Sequence, residues 1–319
     1  MLPASPEAAS RNAAILALHT AAIFLSALLL FSVQPLFTKM VLPRLGGSPA
    51  VWSVAMAFFQ TLLLAGYAYA HWLTTLASRC VAVAAHLALL AAAFATLPLA
   101  VAAGWGAPPS SYTALWLFGL FAVSIGLPFF ALAANNPLLQ AWFARSGHPH
   151  GGDPYFLYAA SNVGSFLALL SYPLLIEPML TLHAQNLAWT VGYGALIVLI
   201  AACGVVLLRA PGRIDADMAA PAAPPPAWRL RLRWMFLAAV PSGLLVAVTA
   251  HISADVAAAP LLWVLPLSLY LLTWVLVFMS RPPLPHRVVL ALSPLAIGGA
   301  VLLIGIGSVY NLPLTLGGH

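Results

Sequence analysis

Long apolar runs alternate with short polar gaps along almost the whole chain. A helix that crosses a bilayer core needs about 20 apolar residues. Nine runs meet or approach that length: Ala13–Phe37, Ala50–Trp72, Cys80–Ala103, Tyr112–Ala134, Tyr155–Ile176, Asn186–Leu208, Trp234–His251, Ala257–Met279 and Val288–Val309. The seventh is the shortest. The first is too long for a signal-peptide core and lacks a small-x-small cleavage site, so it reads as a retained helix. The pattern predicts an all-α fold, a polytopic integral membrane bundle of about nine transmembrane helices.

Composition agrees. The chain is 63% hydrophobic and 6% charged, where soluble domains carry about 25% charge. The few charges are sorted. Arg11, Arg79, Arg145, Arg209, Arg213, Arg229, Arg231, Arg233, Arg281 and Arg287 fall in alternate gaps, while Lys39 and Arg44 stand alone in the others. Lys and Arg concentrate in cytoplasmic loops, so the split puts the N-terminus in the cytoplasm. The net charge of +6 then reflects arginines facing anionic headgroups rather than nucleic acid.

This sorting divides the chain into five parts: a cytoplasmic tail at 1–12, a six-span bundle at 13–208, a cytoplasmic linker at 209–233, a three-span bundle at 234–309 and a non-cytoplasmic tail at 310–319. Within the linker, Ala210–Ala227 is rich in Ala and Pro and reads as semi-rigid and largely unstructured. It leads into WRLRLRW (Trp228–Trp234), whose Arg229, Arg231 and Arg233 are placed to meet anionic headgroups. The motif PAVW (Pro49–Trp52) returns faintly as PLLW (Pro260–Trp263). A repeat that short says little about internal duplication.

Chemistry has few places to reside. Lys39 and Arg44 lie in QPLFTKMVLPRLGGSP (Gln34–Pro49), which reads as a tight, irregular connection. They either form an anion site or pair with acids across the bundle, or else Lys39 snorkels and Arg44 sits in water. Glu177 and Asp255 fall on the same side of the membrane, and His251 precedes Asp255 by four residues, one face of a helix if the seventh span continues. These groups are candidates for a polar or substrate site; solvated helix ends are the plainer alternative. Gln34, Gln60, Asn135, Asn136, Asn162 and Asn186 read as interhelical hydrogen-bonding groups, and Asn135-Asn136-Pro137 is a place where the fourth span ends or breaks. Ala160, Gly164 and Ala168 recur every four residues and form a close-packing face. His148, His150 and Asp153 have metal-ligand chemistry, but their Gly- and Pro-rich loop fits a solvated segment better. Cys80 and Cys203 lie in or beside apolar runs without ligand spacing and read as small buried thiols. No nucleotide-binding or hydrolase signature is present, and no cofactor is expected.

Three stretches together carry a resemblance: QPLFTKMVLPRLGGSPAVW with FFQTLLLAGYAYAH (Phe58–His71), PYFLYAASNVGSFLALLSYPLLIEP (Pro154–Pro178), and VPSGLLVAVTAHISADVAAAPLLWVLPLSLYLLTWVLVF (Val240–Phe278). They resemble the membrane portion of bacterial spermidine-synthase-like fused proteins over most of residues 15–280. The resemblance implies a transporter-like domain in a bacterial inner membrane, joined to an aminopropyltransferase-type domain on its C-terminal side, with a polyamine or other small cation as partner. None of that domain's active-site residues has a counterpart here. A cytoplasmic domain after this one requires an even number of spans, so a tenth is expected beyond His319. The alternatives are a stand-alone secondary transporter and a passive membrane scaffold.

Overall fold

The computed structural model describes residues 6–45, 49–109, 111–152, 154, 156–210, 226–251, 264–277 and 285–306. Among them there is no strand. The helices are α1 (Pro6–Leu45), α2 (Pro49–Leu76), α3 (Arg79–Phe94), α4 (Thr113–Ala144), α5 (Phe156–Met179), α6 (Leu182–Arg209), α7 (Trp228–His251), α8 (Val264–Val277) and α9 (His286–Ile306). Each coincides with a predicted apolar run. Six of them, α1, α2, α4, α5, α6 and α7, are long and apolar enough to cross a membrane. The chain is therefore a helical protein of membrane-spanning character.

Boundaries differ from expectation where a proline was read as part of a break. Helix α1 runs on through Pro43 to Leu45, and α4 runs on through Pro137 to Ala144; Pro35 and Pro128 also lie inside these helices. Proline inside a membrane helix is tolerated because neighbouring helices and side chains satisfy the polar groups around it. The third predicted run is cut short instead. Helix α3 has 16 residues, about 24 Å at 1.5 Å per residue, and residues 95–109 leave it as a loop. Two clips secure that loop. Leu99 and the Asn186 side chain exchange hydrogen bonds, and the Trp105 and Trp116 indoles each donate to the other residue's carbonyl.

The chain forms two compact units. In the first, α1 packs against α4, α5 and α6, while α3 packs against α4 and α6. Helix α4 is the core: most of its residues from Phe129 to Phe143 are buried. Close approach depends on glycine at several crossings, two of them with α1 and α3. A Cβ on Gly164 would lie 2.5 Å from the Phe24 carbonyl oxygen of α1, and one on Gly204 would lie 2.7 Å from Val83 Cγ1 of α3. Aromatic edges fill the α2–α4 seam, with Phe58 against Phe121 and Phe59 against Phe129. The second unit contains α7, α8 and α9, and within it α7 contacts α8.

Two arginines close helix ends in the first unit. Arg79 donates to the Leu207 and Ala210 carbonyls at the end of α6, and Arg145 donates to the Thr74 carbonyl near the end of α2. Cations suit a helix C-terminus, where carbonyls are unpaired and the dipole is negative. Arg229, Arg231 and Arg233 lie in the first turns of α7, so WRLRLRW is helical. At about 100° per residue, Arg229 and Arg233 share one side and Arg231 faces the other.

Candidate functional site

Two clusters of polar groups in the first unit link helices through side chains. The first is deep in the bundle and centres on α4. Asn135, fully buried, accepts at Oδ1 from His86 of α3 at 2.7 Å, with the imidazole in its Nε2–H form, and donates from Nδ2 to Ser26 Oγ of α1 at 2.9 Å. Asn136 faces the opposite neighbour and donates to Ser161 Oγ of α5 at 2.8 Å, while Gln140 donates to Asn136 Oδ1 at 3.1 Å. Adjacent residues on a helix point about 100° apart. An Asn-Asn pair can therefore reach helices on two sides. The Nδ1 atom of His86 is buried without a hydrogen-bond partner, and Tyr69 and Trp142 flank the ring.

The second place is at the C-terminal ends of α1 and α5. Lys39 of α1 forms an ion pair with Glu177 of α5, and both side chains are about one-third exposed. The sequence places α5 there by an irregularity. Pro173 has no N–H to offer the Leu169 carbonyl, and residues Tyr172–Ile176 form a π turn, in which each bond reaches one residue further. The Glu177 N–H accordingly donates to the Tyr172 carbonyl five residues back. The extra residue rotates the end of α5 by about 100° relative to an uninterrupted helix, and Glu177 is the residue it aims. The turn is locked from the side. Buried Tyr172 donates to Gln185 Oε1 at 2.8 Å, and Gln185 donates to the Leu180 carbonyl at 2.8 Å.

Of the residues predicted from sequence, the structure brings Lys39 and Glu177 together. Arg44 lies in the last turn of α1; its side chain is outside the described set. His251 is the last residue of α7, in the second unit, and Asp255 lies outside the described residues. Gly164 and Ala168 are buried on the α1-facing side of α5, and Ala160 is half-buried. His148 and His150 sit with ring centroids 5.5 Å apart, and Asp153 is outside the described residues. Among those described, no group of three metal-ligating side chains exists.

Sequence reasoning passed over His86, Tyr172 and Gln185. For His86 the signal was an ionisable residue inside VAVAAHLALL, since such groups in a span are rarely incidental. For Tyr172 and Gln185 the signal was YP before EP, two prolines in six residues of a span. No family model, no characterised protein and no solved structure matches this chain.

Proposed function

We propose that the chain is a nine-span domain of a bacterial inner membrane, N-terminus in the cytoplasm, of the kind joined to an aminopropyltransferase-type domain. We further propose that it handles a small cationic solute such as a polyamine at its outer end. The topology reading is supported by the ten-to-two division of basic residues and by the match of every described helix to an apolar run. Helices α3, α8 and α9 complete the nine.

The observation that carries the solute reading is the Lys39–Glu177 pair. A carboxylate that is two-thirds buried at a bundle end is costly without a partner, and such groups mark solute paths more often than scaffolding. An irregular backbone turn in a membrane helix is also where solute sites form. Asp255, on the same side by topology, is the second acid of the proposed path.

The test is uptake of radiolabelled putrescine and spermidine into proteoliposomes holding the full chain. Uptake above that of empty vesicles, reduced about tenfold or more in Glu177→Gln and in Asp255→Asn, is the expected result. Background uptake by the wild type would overturn the solute reading and leave a membrane anchor. Uptake unchanged in both variants would remove these two acids from the path.

A further inference from the structure

The Lys39–Glu177 pair has the form of a cation site filled by the chain's own side chain. Three features point this way. Neither side chain is sealed inside the bundle, at 29% and 35% exposure. The carboxylate is held firmly: its backbone is fixed by the π turn and followed by Pro178, and the neighbouring Tyr172–Gln185 bond secures the turn. The ammonium is not held in that way. It sits at the tip of a flexible four-carbon stem, which can retract toward the interface without moving α1.

The asymmetry selects the ligand. An incoming anion would have to displace the short, anchored Glu177 from Lys39. An incoming ammonium need only displace the long, mobile Lys39 from Glu177. Exchange of one monocation for another also keeps the site neutral, so the partly buried carboxylate is never left unpaired. We propose that Glu177 is the binding carboxylate of a primary-ammonium site and that Lys39 is its resident competitor, displaced when an alkylammonium ligand enters. This rests on the solute reading above and adds the ligand class and the means of exclusion.

The probe is n-pentylamine, which reproduces the lysine stem and its ammonium. The readout is the unfolding midpoint of the full chain in nanodiscs as the amine is titrated, with tetramethylammonium as a cation of equal charge that cannot donate a hydrogen bond. In Lys39→Met the amine should raise the midpoint with half-saturation at least about tenfold below that of the wild type, by removal of the competitor. Glu177→Gln and the double variant should not respond, and tetramethylammonium should have little effect on any of them. Equal responses in wild type and Glu177→Gln, which both retain Lys39, would overturn the proposal. So would equal half-saturation in wild type and Lys39→Met. A Lys39→Met chain recovered in folded form only when the amine is present would support it. The two readings fail separately. Background polyamine uptake with Glu177-dependent amine binding ends transport and keeps the site; uptake with no Glu177-dependent binding does the reverse.

Discussion

Asn135 serves two partners with one amide, accepting from His86 and donating to Ser26, all three within a few per cent of complete burial. An orphaned buried polar group costs about 1–3 kcal/mol. Asn135→Leu should orphan two, and the unfolding midpoint in nanodiscs should fall well below that of a single Ser26→Ala change. Equal losses would show that the histidine bond contributes nothing. His148 carries the pH dependence that can be argued outside the spans. Burial holds its imidazole below the ordinary value of 6.5, the charge of neighbouring His150 adds to this, and a hydrogen bond with the Asn12 backbone opposes it. Its ring also lies 4.9 Å from that of Phe143, against which His19 of α1 packs as well. Above pH 6.5 the group is neutral in folded and unfolded chains. Below it, the unfolded chain takes up a proton that the folded chain resists, so stability falls as pH falls. The midpoint should drop between about pH 7.5 and about pH 5.5, and His148→Gln should flatten that drop. The amides were legible in the sequence as interhelical groups. The partners of Asn135 were not, because a single serine and a single histidine in apolar runs carry no periodic mark.

At the scale of the element, the π turn in α5 decides where Glu177 points. Pro173→Ala restores a donor and permits an uninterrupted helix, which would turn Glu177 away from Lys39 by about 100°. The expected outcome is loss of Glu177-dependent responses with the helix content, read by circular dichroism, unchanged. Retention of the pair would show that packing by Tyr172 and Gln185, rather than the proline, sets the turn. The α1–α5 crossing is as demanding. The Phe24 carbonyl lies where a Gly164 Cβ would be, so Gly164→Ala must push backbone apart and should cost about 1–3 kcal/mol, read as a lower unfolding midpoint in nanodiscs. Element existence was readable because long apolar runs leave few alternatives to helix. Element ends were not, since Pro43 and Pro137 look like stops and the helices run through them. The π turn was unreadable for a related reason: its register depends on Gln185, a residue of the next helix.

For the whole molecule, the sorting of charge is the basis of the proposed orientation, and the structure gives two of those charges a second role. Arg79 and Arg145 cap the ends of α6 and α2, so part of the bias is helix-end chemistry as well as membrane sidedness. The proposed topology predicts that a cysteine at Ser110, in a background lacking Cys80 and Cys203, reacts with an impermeant reagent from outside in intact cells. One at Gly152 should react only after permeabilisation; the opposite pattern would invert the topology. The acid–base pair that joins α1 to α5 needed three dimensions, because 138 positions separate its members. The adjacent amides of α4 also bear on how the molecule can move. Asn135 grips α1 and α3 while Asn136 grips α5, which removes the freedom of α4 to roll about its own long axis. A rotation of one residue would strip His86, Ser26 and Ser161 of these bonds together. Within the first unit, α4 is therefore a spindle held from two sides, and the helices around it are registered to it.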